Sequence, residues 1–184
     1  MKHFSKISAT FCASLLLSNA AFSATDSDTF EVRVLVADSC EIVANDLDFG
    51  TYDPLDAVPL LSAISTIDVE CTLLTPFDVG IDAGQNGTGV ADRKMIKDGS
   101  TETLDYTLGC VLSLPVASAI LTNCATNWGN SPGVLGVGGD TFFGLGLGTL
   151  VGPLPIVMSG TIALGQDVPT GTYRDNPVTA TVTF

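Results

Sequence analysis

The run "TFEVRVLVADSC", residues 29–40, puts Phe30, Val32, Val34 and Val36 on every second position, with Glu31 and Arg33 between them. That alternation predicts a β-strand with one face made for a hydrophobic surface. The residues before it, 24–28, are small or acidic, and no hairpin turn joins the strand to a partner. "TIDVECTL" repeats the period, with Ile67, Val69, Cys71 and Leu73 against Thr66, Asp68, Glu70 and Thr72. It predicts a half-buried strand with Cys71 pointing inward. "PFDVGIDAGQNGTG" predicts a strand through Phe77, Val79 and Ile81 and then a glycine- and asparagine-rich loop, from which "RKMI" returns. "LDYTLGCVL" sets Leu104, Tyr106, Leu108 and Cys110 on one face, and "NPVTATVTF" alternates Val178, Ala180, Val182 and Phe184 with threonines. No stretch keeps a helical period between caps. Short strands about ten residues apart, with glycine-rich turns, predict an all-β sandwich.

One stretch breaks the pattern. Residues 132–155, "PGVLGVGGDTFFGLGLGTLVGPLP", combine glycine with bulky apolar side chains, and Asp140 is their only charge. Asp140, the glycines and the prolines make a poor membrane span. Two readings stay open: a glycine-bent strand with a long loop, or an exposed apolar patch that contacts something. The second predicts that some of Phe142, Phe143, Leu145 and Leu147 are exposed.

The N-terminus changes the compartment. Lys2, His3 and Lys6 precede an apolar run, and Ala21-Phe22-Ser23 reads as a small-x-small cleavage site. Residues 1–23 are therefore expected to be a signal peptide, cut after Ser23 or, alternatively, after Ala24. The remaining chain, about 160 residues, suits one domain. It keeps five basic residues against twenty acidic ones, a net charge near −15. Such a surface repels phosphates, so no nucleic-acid partner is expected.

Cys12 leaves with the signal, so Cys40, Cys71, Cys110 and Cys124 remain. An even number in an exported chain implies disulfides, and four cysteines permit three pairings. The expected pairing is Cys40–Cys71 with Cys110–Cys124. No CxxC motif or histidine is left, so no metal site, cofactor or imidazole-based catalysis is expected. Asp46, Asp48, Asp78 and Asp82 would serve a glycosidase only as a close pair, and in an acidic β protein they read as strand and turn positions. "NDLD" and "GGD" lack calcium-loop spacing, and Asn86-Gly87-Thr88 matches a glycosylation acceptor of a kind frequent by chance. No catalytic residues are assigned.

A wider set of motifs is more specific: "FEVRVLVADSCEI", "LDFGTYDP", "IDVECTLLTPFDVGIDAG", "LDYTLGC", "NWGN" and "GQDVPTGTYRDNPVTATVTF", in that order. The series resembles the spore coat protein U domain family, which includes pilin subunits of Csu-like archaic chaperone–usher pili. The resemblance implies an incomplete immunoglobulin-like β-sandwich completed by a donor strand. It implies a structural subunit of a secreted pilus that polymerises by donor-strand exchange, for surface adhesion and biofilm formation. Residues 24–36 would then be the donor segment, with Phe30, Val32, Val34 and Val36 entering a neighbour, and 37–184 the sandwich. Val178, Ala180, Val182 and Phe184 would line the acceptor groove and meet the chaperone. The implied partners are neighbouring pilin subunits, a periplasmic chaperone and an outer-membrane usher. The implied location is the periplasm in transit, then the cell surface. The alternative is a self-complemented secreted coat protein whose own N-terminal strand completes the fold.

Overall fold

The structure is a computed structural model that describes residues 24–55, 60–111, 119–122, 124–134 and 137–184. Among these, ten strands form: β1 (Cys40–Ala44), β2 (Leu60–Cys71), β3 (Pro76–Ile81), β4 (Arg93–Lys97), β5 (Thr103–Val111), β6 (Ala119–Thr122), β7 (Phe142–Leu145), β8 (Leu154–Ala163), β9 (Tyr173–Arg174) and β10 (Ala180–Thr183). They make two sheets, one in the order β1-β2-β8-β5-β4-β9 and one in the order β10-β3-β7-β6. Every pairing is antiparallel. The fold is all-β, and no helix of the described residues is long and apolar enough to cross a membrane.

Period-2 alternation builds the core. Ile67, Val69 and Cys71 of β2, Leu104 to Cys110 on alternate positions of β5, and Leu154, Ile156, Met158 and Ile162 of β8 are buried. They meet Phe77, Val79 and Ile81 of β3 and Phe142 of β7. Trp128 lies between the sheets and ties them together. Its indole N–H donates to Val79 O at 2.8 Å, and its backbone N–H donates to Leu108 O at 2.8 Å. Gly160 marks where the β1–β2 connection crosses the core, because a Cβ there would stand 2.4 Å from Leu47 and 2.6 Å from Phe49.

The structure corrects three expectations. The strand through Ile67 ends at Cys71, and Leu73 is exposed, because Leu74 turns the chain with a φ of 63°. Phe142 and Phe143 are buried, and Leu145 and Leu147 are half-buried. Among the described residues of that stretch, the large apolar side chains that are exposed are instead Val134, Val137, Leu150 and Val151. The third is the strand expected over residues 29–40, of which only Cys40 lies in a strand; conversely β8, which no expectation covered, pairs β2 on one side and β5 on the other.

Arg93 is the other surprise. Its guanidinium is fully buried, and it donates five hydrogen bonds to the carbonyls of Asp82, Val90, Ile81 and Trp128. A buried cation is tolerable only when its donors are satisfied. Here the fork closes the end of the sandwich by binding the backbone of β3 and the β3–β4 loop to the Trp128 segment.

Candidate functional site

Residues 24–39 form no strand, and each is exposed. Phe30, Val32, Val34, Leu35 and Val36 are 76–92% exposed. Glu31 and Arg33 are paired at 3.8 Å, on the parity opposite to Phe30, Val32, Val34 and Val36. Five bulky apolar side chains displayed in seven positions of an acidic chain make the kind of surface that marks an interaction site.

Within the sandwich, β1 and β10 each have one neighbour in their sheets, β2 and β3 respectively. The ladders fix what their other edges offer. Thr72 N–H donates to Ser39 O and Asn45 N–H to Thr66 O, so residues 39, 41, 43 and 45 are the hydrogen-bonded positions of the β1–β2 ladder. The N–H and C=O groups of Cys40, Ile42 and Ala44 therefore point away from β2. Likewise Asp82 N–H donates to Thr179 O, which leaves Ala180 and Val182 pointing their backbone groups away from β3. Among the described residues, no backbone partner meets these edges.

The two edges border one seam, since β1 and β10 lie against each other at the side of the sandwich. Cys40, Ile42, Val178, Ala180 and Val182 pack on the core from this seam but stay half-buried. Phe184, at its end, is 57% exposed. Of the residues predicted to line a groove, Val178, Ala180 and Val182 are thus brought together on the core, and Phe184 extends the row outward. Cys40 is bonded to Cys71 and Cys110 to Cys124. The first bridge closes β1 onto β2 at the mouth of the seam.

A polar network holds the start of β10. Tyr106 donates its phenol to Asp175 Oδ2 at 2.7 Å, and Asp175 Oδ1 accepts from Gln85 N–H and Asn86 Nδ2. Burial, and then the bond to Asp175, push the Tyr106 phenol well above the usual tyrosine range, so it stays a neutral donor. Asp82 Oδ1 accepts from Thr179 N–H and Gly84 N–H. Burial alone would raise Asp82, but those N–H groups and the nearby Arg93 charge hold it below its ordinary value. The edge is thus set in place before any partner arrives. Sequence reasoning put Tyr106 on the core face but missed its bond to Asp175, and missed Arg93 and Asp175 altogether, because these roles depend on loops brought together from distant positions.

Three of the four carboxylates considered for catalysis accept structural hydrogen bonds: Asp78 from Thr141 Oγ1, Asp48 from the Gly50 N–H and Asp82 from the Thr179 N–H. At Asp46 it is the backbone carbonyl that takes the Ser65 hydroxyl. Among the described residues no group of three His, Cys, Asp or Glu side chains is placed to hold a metal ion.

Residues 26–109 match the family described as the Spore Coat Protein U domain. Protein U of Myxococcus xanthus is 32% identical over 188 residues, covering 95% of this chain and 94% of that one. In fold, the chain is similar to the chaperone–tip adhesion subunit pre-assembly complex, CsuC–CsuE, from the archaic chaperone-usher Csu pili of Acinetobacter baumannii. The TM-score is 0.53 and the identity 22%, over 81% of this chain and 40% of that one. The present chain thus spans less than half of that structure's chain. These relatives are structural proteins rather than enzymes.

Proposed function

The chain belongs to the spore coat protein U family, and from that premise we propose that it is a structural subunit of a secreted chaperone–usher pilus. Residues 1–23 direct export, a periplasmic chaperone holds the subunit, and an outer-membrane usher passes it to a surface fibre that serves adhesion and biofilm formation. Residues 24–36 are the donor segment, and 37–184 form the accepting sandwich.

The observation that carries this reading is the pairing of an excess with a lack. Phe30, Val32, Val34 and Val36 are exposed at a spacing of two, while the half-buried Val178, Ala180 and Val182, with Phe184, stand at the same spacing beside an open edge. Strand addition joins the two: backbone groups of the edge supply hydrogen bonds, and the alternating side chains fix the register. Burying four such side chains is worth about 6–12 kcal/mol as an upper estimate. One copy gives its strand to the next, so the contact does not close and a filament grows.

Replacing Val34 by Asp tests this. A buried, unpaired carboxylate in the neighbour's groove is strongly unfavourable. The variant is expected to co-purify with its chaperone as folded subunit and to form no fibres under electron microscopy. Normal fibres from Val34→Asp would overturn the assignment. A variant monomer that itself melts well below the wild type would point instead to a coat protein completed by its own strand.

A further inference from the structure

Beyond the donor strand lies a second surface, at the pole of the sandwich where the segment leaves it. Two loops meet there, the β2–β3 turn and the β7–β8 connection. Leu74 N–H donates to Gly146 O, Gly146 N–H to Thr75 O, and Gly148 N–H to Cys71 O. The contact is tight: a Cβ on Gly146 would run into the carbonyl oxygen of Thr72 and stand 2.9 Å from the Cβ of Cys71. The result is a fixed cap on which Leu73, Leu74, Leu150 and Val151 are all exposed, Leu150 completely. Leu74 is held in the left-handed region, where glycine or asparagine is the easier choice. The sequence thus keeps a bulky apolar side chain on display at a conformational cost. Residues 72–75 and 146–153 contain no charge, in a chain whose net charge is −13.

The tether decides what meets this cap. Thr75 Oγ1 donates to Asp38 Oδ1 at 2.9 Å, and Ser39 is bonded to Thr72 through both its N–H and its C=O. The chain is therefore anchored to the cap as far out as Asp38, and Val36 is two residues further on. Two residues reach at most about 7 Å. Any molecule that takes Val36 into a groove must come to rest within a side chain's length of the β2–β3 turn.

We propose that the apolar cap of Leu73, Leu74, Leu150 and Val151 packs against the opposite pole of a second copy of this chain. The proposal rests on the donor-strand reading and adds a contact to it. A strand added antiparallel to β10, as all pairs of these sheets are, runs against the direction of β10. Its Val36 end then leaves the neighbour near Ala180 and Thr179, at the pole where Thr179 is bonded to Asp82. Between acidic copies, an uncharged apolar surface is the one that can close the gap without charge repulsion.

The test places one cysteine on the cap, Leu150→Cys, in the full chain whose native cysteines are all bridged once exported. A second version adds Val34→Asp to keep the subunit unpolymerised. Maleimide labelling of the cap thiol is expected to be at least about tenfold slower in fibres than in the Val34→Asp form, since a packed contact excludes the reagent. A cysteine at Val43, exposed on the outer face of β1, should label equally in both. Equal rates at Leu150→Cys in fibres and monomer would overturn the proposal while leaving donor-strand assembly intact. Protection only when fibres are adsorbed to polystyrene would give the cap to an external apolar surface, and would overturn it too. If the wild-type chain forms no fibres, the assembly reading falls and this contact with it. As an independent check, Leu150→Asp with Val151→Asp, both at exposed positions, should fold normally and lose most of the polymer. Undiminished polymer from that pair would count against the cap contact.

Discussion

At the residue scale, Arg93 shows how little a local pattern says about a buried charge. "ADRKMI" gives no hint that Arg93 is enclosed and Lys94 is not. Yet Lys94 pairs with Asp92 and Asp105 at the surface, while Arg93 turns into the core. The difference comes from carbonyls of three separate segments that only the folded chain brings together. Asp82 can be tested by titration. Its folded value lies below the ordinary carboxylate value, so its contribution is complete above that value and disappears as pH falls through the folded one. The thermal midpoints of wild type and Asp82→Asn are expected to differ above about pH 4 and to converge below it. The side chain is largely solvated, so the gap should be at most about 1 kcal/mol. A gap unchanged from neutral pH to the acid limit would show that the Thr179 and Gly84 contacts do not depend on the charge.

At the element scale, strands that alternate cleanly were legible. β2, β3, β5 and β10 follow the sequence period, because each has one face on the core. β8 was not, since Pro155, Val157 and Gly160 blur the contrast between its two faces, and it sits directly after the glycine-rich run. The same blur hid Phe142 and Phe143, adjacent residues that are both buried. The seam was legible only through family resemblance; periodicity shows that β10 has an apolar face, not that its edge is open. The ladder geometry gives a sharper test of that edge. The N–H of Ala180 points away from β3, so Ala180→Pro should leave the subunit's own ladder whole. It removes a donor that an incoming strand would use. The expected outcome is a folded, chaperone-bound subunit with strongly reduced fibre yield; normal yield would mean that this edge is not the docking edge.

At the scale of the whole molecule, composition was a sound guide to class and a poor one to surface. The four cysteines pointed to the two bridges that form, but neither they nor the acidic balance told where the apolar excess lies. That depends on which side chains the two sheets leave uncovered. The bridge between Cys40 and Cys71 has a mechanical consequence. In the proposed filament, tension reaches each subunit through the side-chain and single ladder contacts of Asp38 and Ser39 and then Cys40, the first residue of the five-residue β1. Without the bridge, a pull there would be borne by the few ladder bonds of an edge strand. With it, the load passes directly to Cys71 and into β2, a twelve-residue strand held by β1 on one side and β8 on the other. Force spectroscopy on single filaments should therefore show subunits that resist extension when oxidised. After reduction they should unravel from the β1 end at lower force, so that the cysteine pair serves as the rivet through which one subunit hauls on the next.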